Sequence, residues 1–87
     1  MILIIFKVKI SILIFGIIKD IIGKNKLVIE IANDSTVSTL KNRLLDEYPE
    51  LIKYKNYSVA VNEEYVEDDY HLDNNDVIAL IPPVSGG

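Results

Sequence analysis

At 87 residues the chain is one domain in size, and its 49% apolar content supports a small packed core, which excludes intrinsic disorder. With no cysteine and a single histidine it has no disulfide scaffold, no Cys-based zinc site, no thiol nucleophile and little scope for histidine chemistry. A net charge of −4 opposes general nucleic-acid binding, which depends on Lys and Arg neutralising phosphates, and suits a basic partner surface.

Residues 1–18, MILIIFKVKISILIFGII, are the most apolar stretch. A membrane-spanning helix needs about 20 apolar residues. Lys7 and Lys9 lie in mid-run, where each costs roughly 2.5–3.5 kcal/mol at the bilayer centre. The order of charge and apolar stretch is also wrong for a secretory signal. The expectation is a cytoplasmic protein with no membrane partner. The segment reads as strand instead: Lys7, Lys9 and Ser11 alternate with Val8, Ile10 and Ile12, the period that sends polar groups to one sheet face. From Ile12 the run is continuously apolar, as in a central strand buried on both faces. Residues 1–8 are set apart as an apolar N-terminal extension without an assigned function.

A second strand is predicted over Lys26–Ile31 after a turn at Gly23-Lys24-Asn25, pairing as a hairpin with a strand over residues 10–15; the intervening IIKDII forms a loop or a helical turn. Asp34-Ser35-Thr36 then supplies a cap ahead of Val37, Leu40, Leu44, Leu45 and Tyr48, whose spacing marks one face of a helix over about residues 37–47, stopped by Pro49. Further strands are expected at Tyr57–Asn62, at Tyr65-Val66 after a turn at Glu63-Glu64, and at Asp76–Ile81, with Asn74-Asn75 as a left-handed turn before the last. The predicted domain is a single α+β unit over 1–87. A mixed sheet of four to five strands carries one main helix on one face, and the first and last strands are parallel neighbours at the centre. Size and element order are those of a β-grasp, or ubiquitin-like, fold.

Few residues suggest chemistry of their own. His71 lies among carboxylates in EDDYHLDNND with no nucleophile of recognisable context, and is read as a surface loop residue. Seven carboxylates (Glu63, Glu64, Glu67, Asp68, Asp69, Asp73 and Asp76) fall within fourteen positions, either as a solvated face or as a patch that steers a basic partner. They lack the spacing of a calcium loop. No metal site is expected, and Gly16 and Gly23 belong to no nucleotide-binding motif, so no cofactor is expected on this chain. The C-terminus is more informative. Pro82 and Pro83 stop the last strand and hold the chain extended, so that residues 82–87 project about 20 Å. Gly86 and Gly87 lack a Cβ and can thread a channel too narrow for side chains. Such an arm delivers its own carboxylate into another protein's active site.

The tail IPPVSGG, with AVNEEYV at 60–66, NNDVIALIPP at 74–83 and IFGIIKDIIG at 14–23, resembles the small subunit of molybdopterin synthase, a β-grasp sulfur carrier of molybdenum cofactor biosynthesis. The resemblance covers about residues 9–87. It implies that an activating enzyme related to ubiquitin-activating enzymes adenylates the carboxylate of Gly87 with ATP and that sulfur replaces the adenylate. The resulting thiocarboxylate is inserted into the synthase large subunit, where the catalytic site lies, and sulfur passes to cyclic pyranopterin monophosphate. The assembly in this family is a paired heterotetramer. The resemblance further implies that Gly86 provides slimness, that Phe15, Tyr65 and Ile81 with Pro82 and Pro83 face the partner, that Val84 anchors the tail, and that Ser85 occupies a Ser/Thr position. Read as residues alone, Phe15 and Ile81 fit an ordinary core equally well. Lys19-Asp20 stands where relatives have Arg-Glu, which keeps the charges and loses the bidentate fork. Competing readings are a ubiquitin-like protein modifier, a sulfur carrier for thiamine or cysteine synthesis, and an interaction module with an inert tail.

Overall fold

The computed structural model describes residues 6–54 and 56–83. Strand β1 (Lys7–Ile14) lies between an antiparallel partner, β2 (Lys26–Ala32), and a parallel one, β5 (Val77–Ile81). On the far side of β5 come β3 (Ser58–Val61) and β4 (Glu64–Val66), both in antiparallel pairings, giving the order β2-β1-β5-β3-β4. The first and last strands are thus parallel neighbours at the centre. Two residues of the expected extension, Lys7 and Val8, are part of β1, opposite Ala32 and Ile31, and Phe6 prolongs the ladder by accepting from Asn33 N–H at 2.9 Å. Residues 1–5 lie outside the described part of the chain.

Side-chain alternation decides the core. Ile10, Ile12 and Ile14 are fully buried, and the register carries their face through Ile78 and Leu80 of β5 to Val61 and Val59 of β3. The helices cover this face. Helix α2 (Val37–Glu47) buries Val37, Leu40 and Leu44, and a 3-10 helix over Pro49–Tyr54 buries Leu51. The start of α2 is a reciprocal cap: Thr36 Oγ1 accepts from Thr39 N–H, and Thr39 Oγ1 accepts from Thr36 N–H, each at 3.3 Å. The expectation that β1 is buried on both faces is corrected. Ser11 and Leu13 are only half-buried, because both helices lie on the side of Ile10, Ile12 and Ile14.

The apolar run also leaves the strand sooner than predicted. It ends at Ile14, and Gly16–Ile22 forms a short helix, α1, so the helical-turn option holds for IIKDII. Ile18 and Ile22, four residues apart, are its buried pair. Gly23, at φ +81, closes it in a left-handed cap with its N–H on Lys19 O at 2.7 Å.

Tyr57 links the helical layer to the sheet. It is buried beneath Lys41, whose Nζ stands 5.3 Å from the ring centroid and 2.8 Å from Asp68 Oδ1. Burial, with the Asp68 carboxylate adding to it, pushes the Tyr57 hydroxyl up from 10.0 to about 12. The folded state therefore holds this proton more tightly than the unfolded chain. The associated stability is complete below pH 10 and is lost as pH rises towards about 12. Alkaline unfolding curves should show this loss in the parent chain and a smaller one in Tyr57→Phe.

Candidate functional site

Parallel pairing of β1 with β5 brings the C-terminal ends of both strands to the same edge of the domain, with Ile14 opposite Leu80. The next residues on each strand build the base of the tail. Gly16 has φ +57, and a Cβ placed there would lie 2.9 Å from Pro82 Cγ. The proline ring therefore sits directly on the glycine backbone, a contact that needs both the left-handed conformation and the missing side chain. Phe15, just before it, is 49% exposed, Ile81 and Pro82 are half-buried, and Pro83 is exposed. A cleft of about 480 Å³ opens beside Phe15 and Gly16, with Leu13, Lys19 and Lys26 among its lining. Val84, Ser85, Gly86 and Gly87 lie outside the described residues.

The sheet face opposite the helices forms the second part of the site. Registered neighbours align Tyr65, Ala60, Ala79 and Leu13 in one row across four strands, and Val77, Ser11 and Val28 in another. Tyr65 is 71% exposed, and Val77 and Val28 are also exposed. The two alanines leave the sheet low between Tyr65 and Leu13, and a groove of about 340 Å³ runs over Leu13, Val77, Ala79, Asn62 and Glu63. Of the expected partner-facing residues that are described, Phe15, Tyr65 and Pro83 are exposed and Ile81 and Pro82 half-buried. Neither Phe15 nor Ile81 is part of the buried core.

Asn62 was not among the predicted site residues, yet it joins the turn after β3 to the start of β5. Its N–H donates to Val77 O at 2.8 Å, its Oδ1 accepts from Val77 N–H at 3.0 Å, and its Nδ2 donates to Asp76 Oδ1 at 2.9 Å. Asp76 Oδ2 in turn accepts from Asp73 N–H at 2.7 Å. Asp76 is buried and therefore leaves the solvated acidic face to which its sequence neighbours assign it. The turn is Asn62-Glu63, not Glu63-Glu64: both residues have positive φ, 51 and 73, as a two-residue hairpin turn demands. An Asn between two strand-like runs was the available signal. Among the described residues no group of three His, Asp or Glu side chains converges as a metal site would require. His71 is an exposed residue whose backbone bridges to Thr36.

A domain whose last strand is followed in sequence by PPVSGG matches known proteins along nearly its whole length. Residues 12–87 match the ThiS family. The chain belongs to that family. A molybdopterin synthase sulfur carrier subunit of Dictyostelium discoideum is 40% identical over 81 residues, covering 88% of this chain and 94% of that protein. Among solved structures, a chain in the complex of subunits 1 and 2 of the molybdopterin-converting factor of Helicobacter pylori is similar with a TM-score of 0.65 and 30% identity, over 91% of this chain and 99% of that one. The small archaeal modifier protein 1 of Haloferax volcanii superposes with a TM-score of 0.78 over 88% of this chain and 99% of its own, and at 21% identity that likeness speaks for the fold. The β-grasp fold and the resemblance to the molybdopterin synthase small subunit both stand. No helix among the described residues is long and apolar enough to cross a membrane.

Proposed function

We propose that this chain is a sulfur carrier and the small subunit of a molybdopterin synthase, acting in the cytoplasm. The observation that carries the reading is the base of the tail. Strand β5 is held on both sides, and Pro82 is seated on Gly16, so the sequence Pro83 to Gly87 leaves from a fixed point beside an open apolar face. A rigid base with a slim end suits delivery of a carboxyl terminus into a partner's channel.

At neutral pH the Gly87 carboxylate, with an ordinary value of about 3.5, is an anion and a poor electrophile. An E1-like activating enzyme supplies the remedy: a carboxylate oxygen attacks the α-phosphate of ATP, pyrophosphate leaves, and the acyl adenylate forms. A sulfur nucleophile then displaces AMP to leave a thiocarboxylate. The large subunit receives the tail and holds the catalytic site where sulfur passes to cyclic pyranopterin monophosphate, in a paired heterotetramer. This chain brings the sulfur and the docking face, and ATP belongs to the activating enzyme.

The test is the intact mass of the chain after incubation with its activating enzyme, ATP and a sulfur donor. The expected shift is replacement of one oxygen by one sulfur. No shift with an enzyme competent on another carrier would overturn the reading. Docking has a separate test. Phe15→Ala removes a half-exposed ring beside the tail base, and binding to the large subunit, followed by calorimetry, is expected to weaken by about tenfold with the unfolding midpoint nearly unchanged.

A further inference from the structure

We propose that two copies of this chain pair through the outer edge of β2 as an antiparallel, two-fold symmetric dimer centred on Val28. The proposal stands independently of the sulfur-carrier reading. Strand β2 is an edge of the sheet and has seven residues; β4, at the other edge, has three. Its main-chain direction follows from its neighbours. Ser11 N–H donates to Asp76 O, and Lys9 O accepts from Asn75 N–H, so the odd residues of β1 turn their main-chain groups away from β2. Val28 and Glu30, opposite Ser11 and Lys9, consequently turn theirs to the outside, as does Lys26 opposite Leu13. The Glu30 carbonyl confirms this by accepting Arg43 Nη1 at 2.7 Å from the open side.

An edge of this kind is a template for another strand. The side chains select which one. Lys26, Val28 and Glu30 share one face, and all three are exposed. In an antiparallel pairing of β2 with itself about Val28, Val28 meets the partner's Val28, while Lys26 meets the partner's Glu30 and Glu30 the partner's Lys26. Opposite charges then face each other twice, and an apolar pair fills the middle. The same register brings together the residues whose N–H and C=O groups face outward, so hydrogen bonding and charge agree. Sliding the pair by two residues in either direction sets Val28 against a charge and breaks both Lys26–Glu30 pairs, and the register that would bring Glu30 opposite Lys24 places that lysine before the start of β2, outside the ladder. The Glu30 carbonyl keeps a second lone pair for the new strand while Arg43 occupies the first. The tail-bearing strand β5 is separated from β2 by β1 and stays clear.

A contact of one strand with one strand is small, so the dimer belongs to the weak, concentration-dependent class. The test is sedimentation equilibrium of the full chain at millimolar concentration. The expected mass rises from 9.8 kDa towards twice that value. Lys26→Glu alone and Glu30→Lys alone each set like charges face to face and should remain monomeric, with circular dichroism matching the parent. Their equimolar mixture restores opposite charges at both positions and should recover the dimer mass. The proposal is overturned by a parent chain that stays monomeric, by single variants that associate as readily as the parent, as a dimer through the open sheet face would, or by a mixture of correctly folded variants that stays monomeric.

Discussion

Deleting Gly87 is expected to abolish sulfur transfer while leaving the thermal midpoint and the affinity for the large subunit close to those of the parent. The shortened chain still ends in a carboxylate, now on Gly86, so loss of activity does not come from loss of the functional group. It comes from reach. One residue shortens an extended tail by about 3.5 Å, and a misplacement near 1 Å already costs on the order of a hundredfold in a positioned reaction. The core closes upstream of the tail, at Leu80, which explains the unchanged midpoint. The measurement is product formation with the cognate large subunit and activating enzyme. A deletion variant that turned over at the parent rate would sink the mechanism.

Gly16→Ala is expected to act on both stability and transfer. An alanine at φ +57 costs roughly 1–2 kcal/mol in the left-handed region. Its Cβ would also fall 2.9 Å from Pro82 Cγ, and a ring anchored to β5 gives way only by moving the start of the tail. Chemical denaturation should show a loss of about 2 kcal/mol, and sulfur transfer should slow further than unfolding can explain. Gly23→Ala is the matched control. Gly23 also has positive φ, at +81, but nothing lies within 4 Å of the added carbon. It should lose stability and keep its transfer rate. Equal slowing in both variants would remove Pro82 seating as the cause.

The parts of this architecture that were legible in sequence are those where local chemistry and tertiary demand agree. Helix α2 was readable to the residue because Thr36 caps it, Val37, Leu40 and Leu44 share a face, and Pro49 follows its end. The parallel β1–β5 centre was readable because Ile14 and Ile78 both lie in apolar runs fit for the middle of a sheet. Helix α1 was only half legible. The β-branched Ile17, Ile18, Ile21 and Ile22 leave a loop and a helical turn both open, and the left-handed backbone of Gly16, which turns the chain out of the sheet, with the four-residue spacing of Ile18 and Ile22 then favours the helix. The tail itself was legible as composition. Its seat was not, since the Gly16–Pro82 contact joins positions 66 residues apart (82 − 16) and leaves no local pattern. The same holds for Asn62 and Asp76, whose bond at 2.9 Å looks in sequence like two ordinary polar loop residues.

The central place of β5 also bears on how the chain reaches this structure. Lys9 N–H is held by Asn74 Oδ1 across a separation of 65 residues, and no pairing within either half substitutes for it. The β1–β2 hairpin with its helix and the β3–β4 hairpin can each form early, but each exposes a strand edge until β5 slides between β1 and β3. Closing so long a loop is paid for in entropy before any of its contacts form, which makes non-local pairing of this kind intrinsically slow. With β5 out of place, the edges of β1 and β3 that it covers are open templates for the wrong strand.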